Sequence, residues 1–465
     1  MLLRRYLFCA AVLWCCCLTV ANASLCTEPH VVVQTIDFTG NEVTKEFILT
    51  RELTFQPGDT IVTEDLEAQL EESRKRIYNL RLFHAVNYSY TCDNGLVQVT
   101  YQVKERVYLY PIPYFDFADR NFNAWLEKKD LSRLDYGFIL TRRNFRGRNE
   151  DVRLRLQHGF NRRIELSYRV PNLGGNRNLG YEVGVADYRS HTINYNILNN
   201  RQYFYEEKES MPIRRTSAAL ALLHRQNVQR QSALRVAYYH EETADTIVHL
   251  NRDYFNTGLS NRNYIRLDLS HVFNRRNTFA YPLSGSYFDA GIGHAFFLNN
   301  TGTGFTTARA KYVQYVPLPR KFYYSVGGEA QVRLGNNFAV TDNVALGYRS
   351  LVRGYELYVV GGQHYGLFKQ GLSKELFNIK GIHLKFIRNP KLNTVPLAVY
   401  LNTFTDAGYT IDNIYEARNP LTNRLLLGGG FGLHVVTFYD IVLRAEYTAN
   451  REGNRGLYLN VGYPF

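Results

Sequence analysis

From Tyr114 to Phe465 the chain alternates apolar and polar residues with a period of two, and the polar positions repeatedly carry full charges. In 151–157, Val152, Leu154 and Leu156 oppose Arg153, Arg155 and Gln157. In 264–270, Ile265, Leu267 and Leu269 oppose Arg266, Asp268 and Ser270. In 324–334, Val326, Ala330, Val332 and Leu334 oppose Ser325, Glu329, Gln331 and Arg333. In 440–448, Ile441, Leu443, Ala445 and Tyr447 oppose Arg444 and Glu446. Successive side chains of a strand point to opposite faces, so this is the pattern of strands with one apolar and one charged face. A soluble sandwich alternates too, but each apolar face then needs a partner sheet. A membrane barrel turns that face to lipid and keeps the charges on a wet interior. The number of such segments and the 36 Tyr and 28 Phe favour the barrel, whose interfaces are girdled by aromatic residues. Tilted spans of about ten residues, with turns and loops, predict roughly sixteen strands here. The polar segments 188–201 and 251–263 are predicted to be loops.

The first 23 residues read as a secretory signal: Arg4 and Arg5, an apolar run from Tyr6 to Val20, then Ala21-Asn22-Ala23. A membrane anchor is the rival reading, but the run is short for a span. Past it there is no long apolar stretch, which argues against a helical membrane protein. Of the six cysteines, Cys26 and Cys92 remain in the mature chain. Two cysteines in an exported chain favour one disulfide over a lipid-modified Cys26, because Leu25 stands where a lipoprotein signal wants a small residue.

Residues 24–106 read as a small α/β domain in the order strand, helix, helix, strand, strand. His30–Phe38 is the first strand. Thr44 and Thr63 are the expected helix caps. Asn94-Gly95 signals a hairpin between the last two strands. Pro111-Ile112-Pro113 marks the boundary, and 107–465 is the β-region. The net charge of +13 does not point to nucleic acid, because the arginines alternate with apolar residues and do not cluster on helices. No metalloprotease, hydrolase or phosphate-loop motif is present in the sequence, and the twelve His lack metal-ligand spacing. No catalytic residue, metal or cofactor is expected.

Several motifs, in order, resemble the superfamily of POTRA-plus-barrel proteins that assemble or pass polypeptides at bacterial outer membranes. In the front domain these are Ile36-Asp37-Phe38-Thr39-Gly40-Asn41, Gly58-Asp59, the helix end at Ile77, Leu80 and Phe83, and Val103-Lys104-Glu105. In the β-region they are Tyr281-Pro282-Leu283-Ser284-Gly285, Val352-Arg353-Gly354-Tyr355, Phe404-Thr405-Asp406-Ala407-Gly408 and the glycine-rich Gly428–Gly432. The chain ends on an alternating strand with terminal aromatics, Tyr463 and Phe465, similar to the family's outer-membrane sorting signal.

The resemblance implies a mostly-β fold: one βααββ POTRA domain and a transmembrane antiparallel barrel. It implies a cell outer membrane of a Gram-negative bacterium, with the N-terminal domain in the periplasm. It also implies an inward loop latched by Arg353 on Asp406, with Val352, Gly354, Tyr355, Phe404 and Gly408 around it. Elementary chemistry leaves a solvated Arg353 open as well. The implied partners are unfolded outer-membrane protein precursors, membrane lipids, periplasmic chaperones and accessory lipoproteins. A gate between the first and last barrel strands would involve Pro111, Pro113 and Gly462; placement of both prolines in the linker is the alternative. The expected function is a non-enzymatic barrel-assembly factor. A polypeptide-secreting transporter of the two-partner type and a porin or lipid-handling barrel are the alternatives.

Overall fold

The computed structural model describes residues 26–117, 125, 130, 133–173, 178–227, 229–299, 304–335, 338–383, 394–437, 441–463 and 465. The expected signal peptide and Pro464 lie outside the described residues. The chain forms two compact units: residues 1–108 with 143–149, and residues 109–142 with 150–465.

The first unit contains β1 (His30–Thr39), α1 (Glu46–Thr50), β2 (Thr60–Val62), α2 (Thr63–Tyr78), β3 (Phe83–Asp93) and β4 (Leu96–Glu105). Its sheet runs β2-β1-β4-β3, with β1 parallel to β4 and antiparallel to β2. The short β2 adds an edge strand to the expected βααββ order. Leu66, Leu70 and Ile77 recur on one face of α2 and pack with Val31, Val33, Val97 and Val99. Tyr101 is fully buried in this core, its hydroxyl donates to the Leu70 carbonyl oxygen, and burial pushes its phenol pKa up. Cys26 and Cys92 form a disulfide that closes 66 residues of chain.

The two expected caps do other work. Lys45 and Val62 stand at the N-cap positions, without side-chain capping bonds. Thr44 is buried and its hydroxyl donates 2.5 Å to Glu105 Oε1, while Thr63 Oγ1 donates to the Glu28 carbonyl oxygen. Tertiary partners outcompeted the local caps for both hydroxyls.

The second unit holds β5 (Leu109–Phe117), β6 (Leu134–Phe145), β7 (Glu150–Gly159), β8 (Asn161–Val170), β9 (Leu179–Ser190), β10 (Thr192–Leu198), β11 (Arg201–Glu206), β12 (Ile213–Arg225), β13 (Arg230–Thr243) and α3 (Asp245–Leu250). It continues through β14 (Asn261–Asn274), β15 (Gly285–Phe297), β16 (Phe305–Leu318), β17 (Phe322–Gly335), β18 (Val344–Leu346), β19 (Val360–Gly361) and β20 (His364–His383). The last strands are β21 (Thr394–Ile411), β22 (Leu425–Thr437), β23 (Ile441–Asn450) and β24 (Arg455–Val461). Sixteen of these strands make one antiparallel meander, β5–β9, β12–β17 and β20–β24. Among the described residues the sheet does not close on itself: β5 and β24 are its two ends. Pro111 and Pro113 lie inside β5, opposite Leu140 and Phe138, and not in a linker.

The two faces separate as their chemistry demands. Leu220, Val236, Leu267 and Ile292 lie on successive strands and are exposed on the outer face. On the opposite face Arg235 pairs across the ladder with Asp268, beside Arg266. Two polar-lined cavities of about 1080 and 850 Å³ occupy the interior.

Two predicted loops contain more structure than composition suggested. Residues 188–201 include the end of β9 and all of β10, which pairs with β11 as a hairpin. Its Ile193 packs with Ile247 of α3, Tyr254 and Phe255. The segment 251–263 ends inside β14. Polarity hid both, because their apolar contacts come from distant parts of the chain.

Candidate functional site

The segment between β17 and β20 folds back against the inner face of the sheet. Val352 and Tyr355 are buried with Leu346, Leu367 and Leu426. Between them Arg353 is one of the largest fully buried side chains, 2% exposed. Its guanidinium donates from Nε to Asp406 Oδ2 at 2.8 Å and from Nη2 to Asp406 Oδ1 at 2.6 Å. This is the bidentate fork that arginine makes with a carboxylate. The Arg353 backbone N–H donates to the same carboxylate at 3.1 Å. The guanidinium carbon lies 3.7 Å from the centre of the Phe404 ring, a cation–π contact.

Strand pairing builds the cradle. Lys369, Asp406, Gly428 and Asn450 stand side by side across β20, β21, β22 and β23. Each does a different job. Lys369 Nζ lies 3.7 Å from Asp406. Asp406 receives the guanidinium. A methyl group on Gly428 would overlap the Arg353 carbonyl oxygen, so glycine is what lets the loop backbone approach. Asn450 Nδ2 donates 2.7 Å to the Gly354 carbonyl oxygen. Gly354 has φ +97°, a turn that other residues resist, and a methyl on Gly408 would meet Val352 Cγ2 at 2.5 Å. The glycines of two motifs thus make room for the loop of a third.

Sequence reasoning missed the second half of the site. Arg353 Nη1 also reaches Glu446 Oε1 at 3.4 Å. Glu446 is fully buried and accepts from Arg444 Nη1 at 2.7 Å. His434 Nε2 lies 3.2 Å from Glu446, and its Nδ1 lies 2.9 Å from the Tyr281 hydroxyl. With the carboxylate on one side, the imidazole donates from Nε2 and accepts from Tyr281 at Nδ1. Arg444 Nε donates 2.7 Å to the carbonyl oxygen of Gly462. A continuous chain of charged hydrogen bonds therefore runs from the loop tip to the residue following β24. Arg444 and Glu446 were legible as inward charges, but only the register puts them beside Arg353.

Of the remaining expected residues, Gly462 and Tyr463 touch this cluster, and Pro111 and Pro113 do not. Pro111 and Pro113 are on β5, at the opposite end of the sheet order from β24 and Gly462. Tyr463 meets Tyr281 edge-on at 4.9 Å, and Phe465 lies 6.3 Å from Tyr315. Among the described residues no group of three or more His, Cys, Asp or Glu is arranged to hold a metal ion.

The model of the POTRA family, described as surface antigen variable number repeat, matches residues 31–106. The model of the Omp85 superfamily domain matches residues 144–437, which contain the loop, Arg353, Asp406 and the glycine-rich strand. The chain belongs to the Omp85 superfamily. Among solved structures it is similar to BamA from Haemophilus ducreyi lacking POTRA domains 1–3, at 16% identity and a TM-score of 0.56, covering 93% of this chain and 84% of that one. It is similar to CdiB from Escherichia coli at 15% identity and TM-score 0.56, over 93% and 75% of the two chains. CdiB from Acinetobacter baumannii matches at 15% and 0.52, over 93% and 73%. These likenesses show the fold. A search of curated protein sequences found no match. The chain is thus an Omp85 protein with a single POTRA-like unit among the described residues, followed by a sixteen-stranded sheet.

Proposed function

We propose that this Omp85 protein is a non-enzymatic assembly factor of the Gram-negative outer membrane, with its POTRA domain in the periplasm. It receives unfolded β-barrel precursors and pairs their strands at the β5–β24 seam. The observation that supports this reading is the sheet itself: sixteen strands whose first and last members, among the described residues, do not pair with each other. Strand edges are templates for added strands. β5 carries two residues without a backbone N–H, and β24 pairs with β23 over only seven residues. Both features weaken a β5–β24 ladder. The Arg353 site holds the inner loop against β21–β23 and, through Glu446 and Arg444, tethers the end of β24. Precursors, periplasmic chaperones and accessory lipoproteins are the partners this reading requires.

The test uses the protein in lipid vesicles with a urea-unfolded porin precursor as probe. One cysteine on β5 and one on β24 allow the seam to be locked by oxidation. The expected result is faster porin folding with the seam reduced and no acceleration with it locked. Equal acceleration in both states sinks the gate. Large steady conductance with no acceleration favours a porin. Passage of a polypeptide through the locked protein favours a secreting transporter.

A further inference from the structure

β20 and β21 are the longest strands of the sheet, with 20 and 18 residues, and they outrun their neighbours. β17 begins at Phe322, opposite Lys374, and the last β21–β22 pair is Ala398 with Val436. Among the described residues, Glu375–His383 therefore pairs only with β21, and Thr394–Leu397 only with β20. A two-stranded ribbon projects from the edge of the sheet at which the chain enters β5. Measured along β21, from the Lys374–Leu401 rung to Thr394, it reaches about 23 Å at ~3.3 Å per residue.

Its apolar residues are placed by a bulge. Odd-numbered residues of β20 face inward as far as Glu375: Lys369 beside Asp406, then Ser373, buried and bonded to Asn402. Unbroken alternation would turn Phe377 and Ile379 inward too. The register shifts between Glu375 and Phe377 instead. Phe377 then lies opposite Val399 and Ile379 opposite Leu397, and Asn378 takes the other face. Re-aiming side chains in this way is what a bulge does. The two re-aimed residues are 44% and 43% exposed.

Phe377 also begins a row. Across the ladder it is followed by Val399, Val435, Leu443 and Val461, so five adjacent strands carry an apolar residue at one level up to the seam. Leu443 and Val461 are exposed on the outer face. The ribbon's apolar face is continuous with the surface that meets lipid. At its base stands Lys374, whose ammonium lies 4.4 Å from the Phe322 ring, while Lys321 pairs with the inward Glu375. Basic and aromatic residues beside an apolar face are the signature of a bilayer interface.

We propose that this ribbon is a lipid-contacting extension of the barrel wall, whose Phe377 and Ile379 side chains lie among the acyl chains of the periplasmic leaflet. The inference rests on the membrane placement proposed above and is independent of what passes the seam. It gives the wall a deeper apolar skirt along β20–β24 than along β15–β17.

Single-tryptophan fluorescence tests it. The chain has only Trp14 and Trp125, and both are replaced by Phe in the full-length protein. Phe377→Trp, Ile379→Trp and Asn378→Trp are then made singly and placed in phosphatidylethanolamine–phosphatidylglycerol vesicles with brominated acyl chains. Trp at 377 and 379 is expected to emit blue-shifted and to lose roughly half its intensity to the brominated chains, whereas Trp at 378 stays water-exposed. Leu443→Trp on the wall is the positive control for correct insertion. If it is quenched while 377 and 379 are open to iodide, the ribbon stands in water and the proposal is wrong. Shielding of 377 only on adding an unfolded porin also overturns it, in favour of a polypeptide-docking edge. Neither result touches the porin-folding assay of the seam.

Discussion

Replacing Asp406 should harm the barrel more than replacing Arg353, although the two residues form one ion pair. The reason is the inventory of charges within direct reach. Arg353, Lys369 and Arg444 surround the carboxylates of Asp406 and Glu446. In Arg353→Ala, Lys369 remains beside Asp406 and Arg444 beside Glu446, so each carboxylate keeps a cation. What is lost is the bidentate fork, at about 1.5–3 kcal/mol per charged hydrogen bond before relaxation, the longer Nη1 contact with Glu446 and the Phe404 contact. A net cost of about 3 kcal/mol follows, at the low end for breaking a buried pair. In Asp406→Asn, Arg353 stays buried without its fork, and Arg353, Lys369 and Arg444 are left with Glu446, and with buried Glu356 at longer range. That cost is about 4–5 kcal/mol. Removing both should cost less than the sum, because Arg353→Ala relieves the excess positive charge that Asp406→Asn creates. The assay is urea unfolding of the purified protein in detergent micelles or lipid, read alongside loss of the heat-modifiable folded band on gels. Equal costs for Arg353→Ala and Asp406→Asn, or costs that add in the double variant, would show that Lys369 and Arg444 do not compensate the carboxylates.

Further outcomes follow from other contacts. Gly428→Ala removes no charge, yet it pushes on the Arg353 carbonyl; it should cost about 1–3 kcal/mol and release the loop to protease much as Arg353→Ala does. Arg444→Ala frees the Gly462 carbonyl, and hydrogen exchange at 455–463 should rise while that of β13–β15 stays unchanged. Reduction of Cys26–Cys92 reopens a loop of 66 residues, so the POTRA unit should lose about 4 kcal/mol, seen as an earlier thermal transition that reducing agent brings on. Leu267→Lys on the outer face should cost about 2–4 kcal/mol in lipid, and Ser270→Lys on the inner face far less; equal costs would contradict the assignment of faces.

Much of this molecule is written in local pattern. Alternation is a property of each strand by itself, so the two faces, the approximate strand count and the change from an α/β unit to an all-β region were all readable from residue order. The Arg353 and Asp406 motifs were readable only through family resemblance, because 53 residues separate them and spacing alone does not make them neighbours. Tertiary structure alone decided the rest. The partners Lys369, Glu446, Arg444 and Asn450 depend on register, and a shift of one residue on any of these strands would turn its side chain to the other face. The displaced Thr44 and Thr63 caps, the β10–β11 hairpin inside a polar segment and the bulge that turns Phe377 outward belong to the same class. For the caps and the hairpin, a local preference met a distant partner whose burial or charge outweighed it; the bulge is a change of register that no local pattern announces.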